Sequence, residues 1–553
     1  MPINPSEAAS ASATRIPVDV RRFPWFRPLA LDYAFDFPKV ASFFAGDPAE
    51  HRAWADAITR TQAPGRQHAA MASIIAEQQR RRQAPPEARE AARLLADPGT
   101  VAVVTGQQAG LFGGPLFTLL KALTAIKLAE QVGRDHGVAA VAVFWVDAED
   151  HDWDEVRSCT VLDEALAPHT VGLAPRAGGQ PGAVGNVLVD DSMLAVLSEL
   201  EQRLPPTDFR PLLLEGLRRA YAPGTRMADA FGRWMEEVLG HRGLVVYDAS
   251  DVAAKALVGP VFTRELSTPG QTGRLAALAG SALTACGYHA QVQPQDEGLS
   301  LFHLGDDGRL AIRHHEGGLF VGERRYDAPA LIDEARAHPA SFSPNVLLRP
   351  IVQDSLFPTV CYVAGPNELA YLGQLRGVYE HFGVPMPLMY QRATATIVDS
   401  AAIRFFTKYL LPLEALQPQD EAALNALLRA ELSPAVEASL TEASRVIEEQ
   451  MLRVVAVLPT LDPTLEGAAR STLGRMQHEI QTLHGKVIQA AKRRDETLRR
   501  QFLRTRALTF PHGHAQERAV GFVSFLNQYG PSLVERLDAE LPLGMGQHWI
   551  VNI

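Results

Sequence analysis

The stretch VAVVTGQQAGLFGGPLFTLLKALTAIKLAEQVG, residues 101–133, carries the pattern of a strand, a turn and a helix in succession. VAVVT is short, apolar and β-branched, TGQQAGLFGG is rich in glycine, and the remainder places leucine and isoleucine at helical spacing. AAVAVFWV, residues 139–146, is a second continuous apolar run, which is typical of a strand buried on both faces. Because such a strand–helix–strand unit crosses over with right-handed geometry, it predicts a parallel sheet.

Later segments repeat this pattern. GLVVY at 243–247, PTVCYVA at 358–364 and the run 387–390 predict further strands. Between them, residues 288–327 alternate short apolar runs with glycine and aspartate turns, which predicts an antiparallel β insertion covering about 288–340. The predicted fold class is therefore α/β, with a parallel sheet and an inserted subdomain.

The C-terminal third changes to long stretches rich in Ala, Leu, Glu, Arg and Gln. In the second of these stretches, apolar residues step by three and four, as in a coiled-coil seam: Leu473, Met476, Ile480, Leu483, Val487 and Ala490. A helical hairpin, broken near residues 459–463, is the simplest interpretation. The predicted division is a disordered tail (1–18), a core (19–415), the hairpin (416–508) and a final segment that packs back on the core (509–553).

The composition is that of a folded protein with several domains. The chain has 553 residues, 46% hydrophobic and 21% charged, which excludes disordered, collagenous and fibrous classes. A formal charge of −10 gives no field that draws the protein onto nucleic acid or anionic lipid, so small-molecule partners are expected. Three separated cysteines without CxxC indicate neither a disulfide framework nor a thiolate zinc site. Without an evident signal peptide or transmembrane segment, we expect a cytoplasmic protein.

A glycine-rich turn follows the first strand of the predicted sheet. Glycines let the backbone approach a ligand closely, and free N–H groups before a helix suit a phosphate or a carboxylate. Ligands of parallel sheets bind beyond the carboxyl ends of the strands. The candidate substrate- or nucleotide-binding residues are therefore Thr105, Gly106, Gln107, Gln108, Gly110 and, on the following helix, Lys121. The turn matches neither GxGxxG nor GxxxxGK[ST], and a tight turn that only connects strand to helix is the alternative.

A dense acidic run, DAEDHDWDE at residues 147–155, directly follows the strand that ends in FWV. Its carboxylates repel one another unless a cation, an amine or a cluster of donors offsets them. Mg²⁺ held by Asp147 and Asp150, a substrate ammonium, or a general-base role for His151 would each explain the run. The candidate catalytic residues are Glu149, Asp150, His151 and Asp152. The alternative is a solvated acidic loop whose residues cap the next helix.

A third candidate group lies in NVLLRPIVQD, residues 345–354, and GPNE, residues 365–368. Arg349 sits in an apolar stretch with few local partners, and a guanidinium there needs a carboxylate or a phosphate. It either clamps a substrate carboxylate or forms a structural ion pair with the acidic run. Asn367 and Glu368, at a loop-to-helix junction, either contact substrate or only cap the helix.

Four strings together resemble the BshC family of bacillithiol biosynthesis, a family of cysteine ligases: VVTGQQAGLFGGPLFTLLKALTAIKLA, FWVDAEDHDWDEV, LLRPIVQDSLFPTVCYVAGPNELAYLGQLRGVYEHFGVPMPLM and QERAVGFVSFLNQYGP. The likeness runs from FPWFRPLALDY, residues 23–33, to the end of the chain. TGQQAG and EDHD, in this order and at this separation, are its most specific part. The resemblance implies a Rossmann-like core with connecting subdomains and a C-terminal α-helical coiled-coil domain that forms a homodimer.

The resemblance also implies a chemistry. The activity proposed for the family joins the amino group of L-cysteine to the malyl carboxylate of glucosaminyl malate. Amide formation from a free carboxylate is uphill, so ATP with Mg²⁺ is the expected activator, through either an acyl phosphate or an acyl adenylate. The turn 106–110 would hold phosphates or the malyl carboxylate, and Arg349 would clamp a carboxylate. The acidic run would bind Mg²⁺ or the cysteine ammonium, with His151 accepting its proton.

A second function, from a different class, stays open at this point. A nucleotide-binding scaffold protein would use its coiled coil to recruit partners, and its site at the sheet edge would regulate without catalysing. The ligase requires the glycine turn and the acidic run to converge on one cleft, whereas the scaffold requires more apolar hairpin surface than one hairpin buries. The charged cluster beside the glycine turn favours the ligase.

Overall fold

The computed structural model describes residues 15–63, 65–175, 182–305, 308–315, 317–430, 434–494 and 496–553. These residues form two compact units. The first, called the sheet unit below, comprises residues 15–397 together with Gln516–Ile553 and contains the sheets. The second, called the helical unit, comprises Val398–Ala515.

The strands and α-helices of the described residues are numbered in chain order. The strands are β1 Arg15–Asp19, β2 Val101–Gln107, β3 Ala140–Val146, β4 Ser158–Leu162, β5 Pro168–Gly172, β6 Val245–Asp248, β7 Gly298–Gly305, β8 Gly308–His315, β9 Gly318–Val321, β10 Arg324–Tyr326, β11 Phe342–Pro344, β12 Thr359–Ala364, β13 Leu388–Gln391, β14 Thr394–Val398 and β15 Gln547–Asn552. The helices are α1 Pro28–Phe35, α2 His51–Thr61, α3 His68–Arg82, α4 Pro86–Leu94, α5 Leu116–His136, α6 Trp153–Val156, α7 Ser192–Arg203, α8 Arg210–Ala220, α9 Met227–Leu239, α10 Val252–Ser267, α11 Gln271–Ala285, α12 Ala328–Ala337, α13 Arg349–Leu356, α14 Leu369–Leu372, α15 Arg376–Phe382, α16 Ser400–Tyr409, α17 Ala422–Ala430, α18 Pro434–Val457, α19 Leu465–Arg494, α20 Glu496–Thr509, α21 Gln516–Ala519, α22 Phe522–Tyr529 and α23 Ser532–Glu540.

The central sheet has five parallel strands in the order β13-β12-β2-β3-β6. β2 pairs with β3 along its whole length, from Val101 opposite Ala140 to Gln107 opposite Val146. Nearly every residue of β2, β3 and β12 is buried, since helices such as α2 and α5 pack on the sheet. This burial explains the continuous apolar runs in the sequence. The predicted α/β class with a parallel sheet is confirmed.

The helix between β2 and β3, α5, has a proline directly before its first residue and a glycine directly after its last. Pro115 is the N-cap, and Gly137 ends the helix in the left-handed conformation with φ 65°. Most residues of this helix are buried, but lysines and a glutamate interrupt its apolar sequence. Charged residues of this kind are rare in membrane-spanning helices. Among the described residues, no helix is long and apolar enough to cross a membrane.

An antiparallel sheet in the order β10-β9-β8-β7-β11 occupies the place of the predicted β insertion. Its strands run from Gly298 to Pro344, so the insertion lies slightly later than the predicted 288–340. β11 joins the sheet after α12, through pairing of Phe342 with His303. Among the described residues, Gly322 lies between β9 and β10, in agreement with the glycine pattern that predicted turns here.

The first described strand corrects the predicted N-terminal tail. Residues 1–14 of the predicted tail 1–18 lie outside the described residues, whereas Arg15–Asp19 is β1. β1 pairs antiparallel with β15, and Arg15 lies opposite Val551. The tail was predicted too long because the pairing partner comes from the far end of the sequence, where no local pattern reveals it.

The helical unit contains the hairpin of α18 and α19, which pack against each other. Only about half of the side chains in the predicted seam are shielded from solvent. Leu473, Ile480 and Val487 are partly buried, whereas Met476 and Leu483 are 40% and 51% exposed. The hairpin therefore presents apolar side chains outside its own interface.

The boundaries of the helical unit differ from the predicted 416 and 508. The unit begins at Val398 because α16 packs on α20, with the Phe405 and Phe502 ring centroids 6.4 Å apart. It ends at Ala515, and Gln516–Ile553 belongs to the sheet unit. There the Val520 carbonyl accepts a hydrogen bond from the Leu116 N–H at 2.8 Å. The end of the chain thus packs against the start of α5.

Candidate active site

The candidate residues meet at the carboxyl edge of the central sheet, because parallel strands all end on the same side. β2 ends at Gln107, β3 at Val146 and β12 at Ala364. The Asp147 N–H donates to the Gln107 carbonyl at 2.9 Å, so the acidic run starts beside the glycine turn. The acidic loop, as residues 147–152 are called below, thus lies next to that turn.

The first three residues of the predicted turn, Thr105, Gly106 and Gln107, belong to β2 itself. The Thr105 hydroxyl is buried and donates to the Val363 carbonyl at 2.9 Å, which ties β2 to β12. Gly106 lies opposite Trp145, and a Cβ atom at this position would be 3.0 Å from the Trp145 carbonyl oxygen. Both residues shape the edge of the sheet, and the turn proper starts at Gln108.

The turn offers backbone donors and a link to the acidic loop. The Gly110 N–H donates to the Gln108 carbonyl at 2.8 Å. Within the part of the chain that the structure describes, the N–H groups of Gln108 and Ala109 donate to no other group. The Gln108 side chain donates from Nε2 to Asp150 Oδ2. The two segments singled out from the sequence are therefore in direct contact.

Lys121 and Glu368 form one ion pair behind the turn. Lys121 is 2% exposed, and its Nζ lies 2.8 Å from Glu368 Oε2. The same Nζ donates to the Gly106 carbonyl at 2.8 Å, while Glu368 accepts the Gly365 N–H. Burial lowers the pKa of Lys121, and the negative charge of Glu368 opposes that shift. The pair thus joins the ends of β2 and β12.

Arg349 reaches the acidic loop from α13. Its Nε is 3.7 Å from Asp147 Oδ2, Nη2 donates to the Tyr371 hydroxyl at 3.1 Å, and Nη1 donates to Gln353 Oε1 at 3.1 Å. Burial raises the pKa of Asp147, and the guanidinium opposes that shift. The Asp147 side chain is 33% exposed, so a ligand can reach it. The predicted ion pair with the acidic run is the arrangement present.

Glu149 is turned away from solvent by a lysine that the sequence analysis did not select. Lys255 of α10 is 5% exposed and donates to Glu149 Oε1 and, at 3.0 Å, to the Phe342 carbonyl. This contact links the acidic loop to α10 and β11. Glu149 therefore anchors the acidic loop through its ion pair with Lys255.

His151 lies between Asp150 and an arginine of the β insertion. Its Nδ1 is 3.4 Å from Asp150 Oδ1 and 3.2 Å from Nη1 of Arg309, and its side chain is 39% exposed. Asp150 Oδ1 also accepts the backbone N–H of His151 at 2.7 Å. Arg309 is thus a further member of the site.

Asp152 and Asn367 have simpler environments. Asp152 Oδ1 accepts the Glu155 N–H at 3.1 Å, which makes Asp152 the N-cap of α6. This is the capping alternative that the sequence analysis left open. Asn367 is partly buried, and its side chain forms no hydrogen bond within the described ranges.

A buried arginine follows β13 at the same edge. Arg392 pairs in a bidentate way with Glu517, at 2.7 and 2.9 Å, and both side chains are almost fully buried. The guanidinium carbon of Arg392 lies 5.4 Å from the Phe117 ring centroid, and that of Arg518 lies 5.8 Å from it. α21 therefore brings two charged residues against the start of α5.

Sequence reasoning missed these partners because they come from distant segments. Lys255 stands alone in the apolar run VAAKALVGPVF, and that isolation is the one signal that could have singled it out. Arg309 is one of several arginines in the β insertion, and nothing local distinguishes it. Arg392 lies two residues after the predicted strand 387–390, close to the kind of position at which the other candidates were found.

The carboxylates of the site do not gather into a metal-binding group. No set of three His, Cys, Asp or Glu side chains in the described ranges has the arrangement of a metal site. Asp147 faces Arg349, Glu149 faces Lys255, and Asp150 accepts N–H groups. Most of the acidic charge is therefore offset by the protein's own donors.

Comparison with known proteins agrees with this architecture. Residues 15–393 match the family model "Bacillithiol biosynthesis BshC, N-terminal Rossmann-like domain", and residues 395–553 match the "C-terminal coiled-coil domain" of the same family. A protein of Salinibacter ruber named "Putative cysteine ligase BshC" is 34% identical over 553 residues, which cover 99% of this chain and 100% of the relative. Proteins of the same name from Chlorobaculum tepidum and Symbiobacterium thermophilum are each 33% identical, over 85% and 86% of this chain and 85% and 88% of their own lengths.

Proposed function

The chain belongs to the BshC family of bacillithiol biosynthesis, and from that premise we propose that it is an amide-forming cysteine ligase. L-Cysteine supplies the amino group, and glucosaminyl malate supplies the malyl carboxylate. The observation that carries the proposal is the hydrogen bond from Gln108 Nε2 to Asp150, which joins the glycine turn to the acidic loop. A ligase needs its two substrates side by side, and this contact supports one shared cleft.

The charges at the sheet edge fit two charged substrates. The ammonium of cysteine suits the acidic loop, where Asp147 and Asp150 retain exposed carboxylate surface. A substrate carboxylate suits Arg349 and the N–H groups of Gln108 and Ala109. Buried pairs behind these residues, such as Lys121 with Glu368, hold the edge in place.

ATP and Mg²⁺ belong to the proposal as substrate and companion ion. Mg²⁺ at nucleotides is commonly held by one or two carboxylates together with phosphate oxygens, and Asp147 and Asp150 fit that limited role. Phosphates suit the N–H groups of the turn. ATP supplies the group that activates the malyl carboxylate. The residues of the chain bind, orient and shield the reacting groups.

The proposed reaction forms one amide bond and breaks one phosphoanhydride bond of ATP. The activated carboxyl carbon loses its bond to oxygen and forms a bond to the cysteine nitrogen. ATP leaves as ADP with phosphate or as AMP with diphosphate, according to the group that it transfers. The attacking ammonium loses two of its three protons and keeps the third as the amide N–H, and the acidic loop offers carboxylates as acceptors for the released protons.

The test is mass spectrometry of the purified protein with L-cysteine, glucosaminyl malate, ATP and Mg²⁺. We expect the amide product from the wild type and a drop of about a hundredfold with His151→Ala or Asp150→Ala. Asp154→Asn is the matched control, because Asp154 belongs to the same acidic run but is 76% exposed and pairs with Arg157. That variant should retain wild-type activity.

The outcomes separate the proposal from its alternatives. ADP or AMP without the amide would show activation with a wrong acceptor. Neither product nor nucleotide turnover would overturn the ligase and favour a nucleotide-binding scaffold. Equal losses in Asp150→Ala and in the control Asp154→Asn would contradict the assignment of the site to the edge of the sheet.

A homodimer through the helical unit is the second part of the proposal. The family model covering residues 395–553 is a coiled-coil domain. Met476 and Leu483 of α19 and Leu452 of α18 are 40%, 51% and 45% exposed, which leaves apolar surface beyond the hairpin's own interface. A second copy of the same hairpin is the occupant that fits an exposed heptad spacing.

A further inference from the structure

The contact between Arg309 and His151 fixes the chemistry of the imidazole ring. Arg309 Nη1 lies 3.2 Å from Nδ1 of His151. A guanidinium has five N–H donors and no acceptor, so Nδ1 must be the acceptor in this hydrogen bond. In a neutral imidazole only one of the two ring nitrogens can accept a hydrogen bond, and here that nitrogen is the one facing Arg309. The ring proton is therefore on Nε2.

Arg309 is held firmly enough to impose this state. Its guanidinium carbon lies 3.9 Å from the Phe302 ring centroid, and Nη2 donates to the Pro344 carbonyl at 2.9 Å. Its Nε is buried and has no hydrogen-bond partner in the described part of the chain. The ring and the carbonyl belong to β7 and β11, so two neighbouring strands of the insertion aim the guanidinium at His151.

Among the residues that the structure describes, Asp150 is the group placed to impose the opposite tautomer. Its Oδ1 is 3.4 Å from Nδ1, but that oxygen already accepts the backbone N–H groups of His151 at 2.7 Å and of Asp152 at 3.4 Å. Its Oδ2 accepts from Gln108. The carboxylate thus already has other donors while Arg309 is present, and among the described residues the ring contact with hydrogen-bond geometry is the one to Arg309.

We propose that Arg309 is a positioning residue that holds His151 as the Nε2–H tautomer, so that the imidazole meets the substrate as a hydrogen-bond donor. This inference rests on the proposed ligase function and revises the expectation that His151 accepts a proton. An N–H at Nε2 suits the substrate carboxylate, whose oxygens carry the charge. Proton removal from the amine then belongs to the carboxylates of the acidic loop.

The direct test is nitrogen NMR of the full-length protein labelled with ¹⁵N-histidine. The His151 signals are assigned by their loss in His151→Gln. In the wild type we expect Nε2 protonated and Nδ1 unprotonated, and in Arg309→Met we expect Nδ1 to gain proton character toward Asp150. Arg313→Met is the control, because Arg313 lies on the same strand but donates to Gly322 and Glu323. A protonated Nδ1 in the wild type, or no change in Arg309→Met, overturns the inference.

The kinetic test compares two substitutions of His151. A donor role predicts that His151→Gln, which keeps an N–H near the Nε2 position, retains at least about tenfold more activity than His151→Ala. A base role predicts equal losses, and that result would contradict the inference. Arg309→Met should lower kcat on the order of a hundredfold with little change in KM, since a wrong tautomer disables a well-placed imidazole.

The two sets of measurements fail separately. The NMR experiment measures the tautomer without substrates. A ligase assay that yields no product would therefore contradict the proposed reaction but not the NMR result. Conversely, product formation with Nδ1 protonated preserves the ligase and removes the role of Arg309. Retention of the far-ultraviolet circular dichroism spectrum in Arg309→Met shows that the variant is folded.

Discussion

At the scale of single residues, the site depends on a buried charge and on the half-buried partner that balances it. Lys121 is 2% exposed, and the carboxylate that balances it is Glu368, 2.8 Å away. A buried ion pair adds little net stability over an apolar pair, but removal of one partner leaves a charge without compensation. The pair therefore acts mainly as a constraint on where β2 and β12 end.

Glu368→Gln tests this dependence. We expect the free energy of unfolding to fall by about 2 kcal/mol, because Lys121 keeps its burial and loses its counter-charge. Urea unfolding at neutral pH measures the change. Glu380→Gln is the control, since Glu380 is 70% exposed and its pair with Arg376 is worth little. An equal effect of both variants would contradict the assigned role of the buried pair.

His548 gives the sheet unit a pH dependence with a defined sign. It is buried in β15, hydrogen-bonded to the Thr396 hydroxyl at 2.8 Å, and burial lowers its pKa from 6.5 to about 4, with Glu517 opposing and Arg392 adding to the shift. Between pH 6.5 and 4, His548 is protonated in the unfolded chain but stays neutral in the folded chain. Stability contributed by the neutral ring is therefore lost as the pH falls through this window, on the order of 3 kcal/mol.

His548→Gln should weaken the loss of stability between pH 6.5 and 4. The variant removes the titrating ring, so its midpoint of thermal unfolding should fall less between pH 6.5 and 4 than that of the wild type. Differential scanning calorimetry over that range measures the difference, and the exposed His289 provides the control His289→Gln. A parallel decline of the wild type and His548→Gln would refute the linkage.

The residue scale also shows where prediction from sequence ends. The acidic loop and the glycine turn were predicted because each directly follows an apolar strand, and parallel strands end together. Lys255 and Arg309 were not predicted, since their partners in the acidic loop lie more than a hundred positions away in the sequence. No periodicity records a contact of that kind. Their selection required the positions of α10 and β8 in space.

At the scale of elements, a short 3-10 helix supports the acidic loop. The Gly185 N–H donates to the Ala148 carbonyl at 2.8 Å, and the Val184 N–H donates to the Asp150 carbonyl at 2.7 Å. A Cβ atom at Gly185 would be 2.4 Å from the Ala148 Cβ. The helix Val184–Asn186 thus fits the loop only because residue 185 has no side chain.

Gly185→Ala should therefore impair the site more than the fold. We expect the displaced loop to lower kcat at least about tenfold, because reacting groups tolerate little misplacement. Gly182→Ala is the matched control, as no atom of the described residues lies within 4 Å of a Cβ atom built there. The ligase assay and thermal unfolding together measure the effect. Unchanged kcat in Gly185→Ala would contradict the supporting role of this helix.

At the scale of the whole molecule, the exposed seam of the hairpin predicts self-association. Met476 and Leu483 are seven residues apart on α19, so they lie on the same helix face. Placing charges there with Met476→Glu and Leu483→Glu should convert a dimer to a monomer, as measured by light scattering. Leu278→Glu is the control, because Leu278 is 68% exposed on α11 of the sheet unit. A wild-type monomer, or a double variant that remains dimeric, would contradict the prediction.

The fold class could be predicted from sequence, whereas the division of the chain could not. Strands buried on both faces leave continuous apolar runs, and these identified the parallel sheet. The boundaries at 397 and 516 depend on which helices pack together, and β1 depends on a partner at the other end of the sequence. Such long-range choices leave no mark in a short window of residues.

The packing of the final segment, residues 516–553, against α5 also determines when during synthesis the start of α5 gains its hydrogen-bond partners. The Leu116 N–H at the start of α5 is satisfied by the Val520 carbonyl, and Gly114 by the Phe522 N–H that donates to its carbonyl at 3.2 Å. A ribosome makes the whole helical unit, Val398–Ala515, before it reaches these residues. A nascent chain interrupted within that unit therefore carries every residue of the acidic loop but lacks the segment that packs against the start of α5. The candidate site can gain these contacts only after that segment has been synthesised.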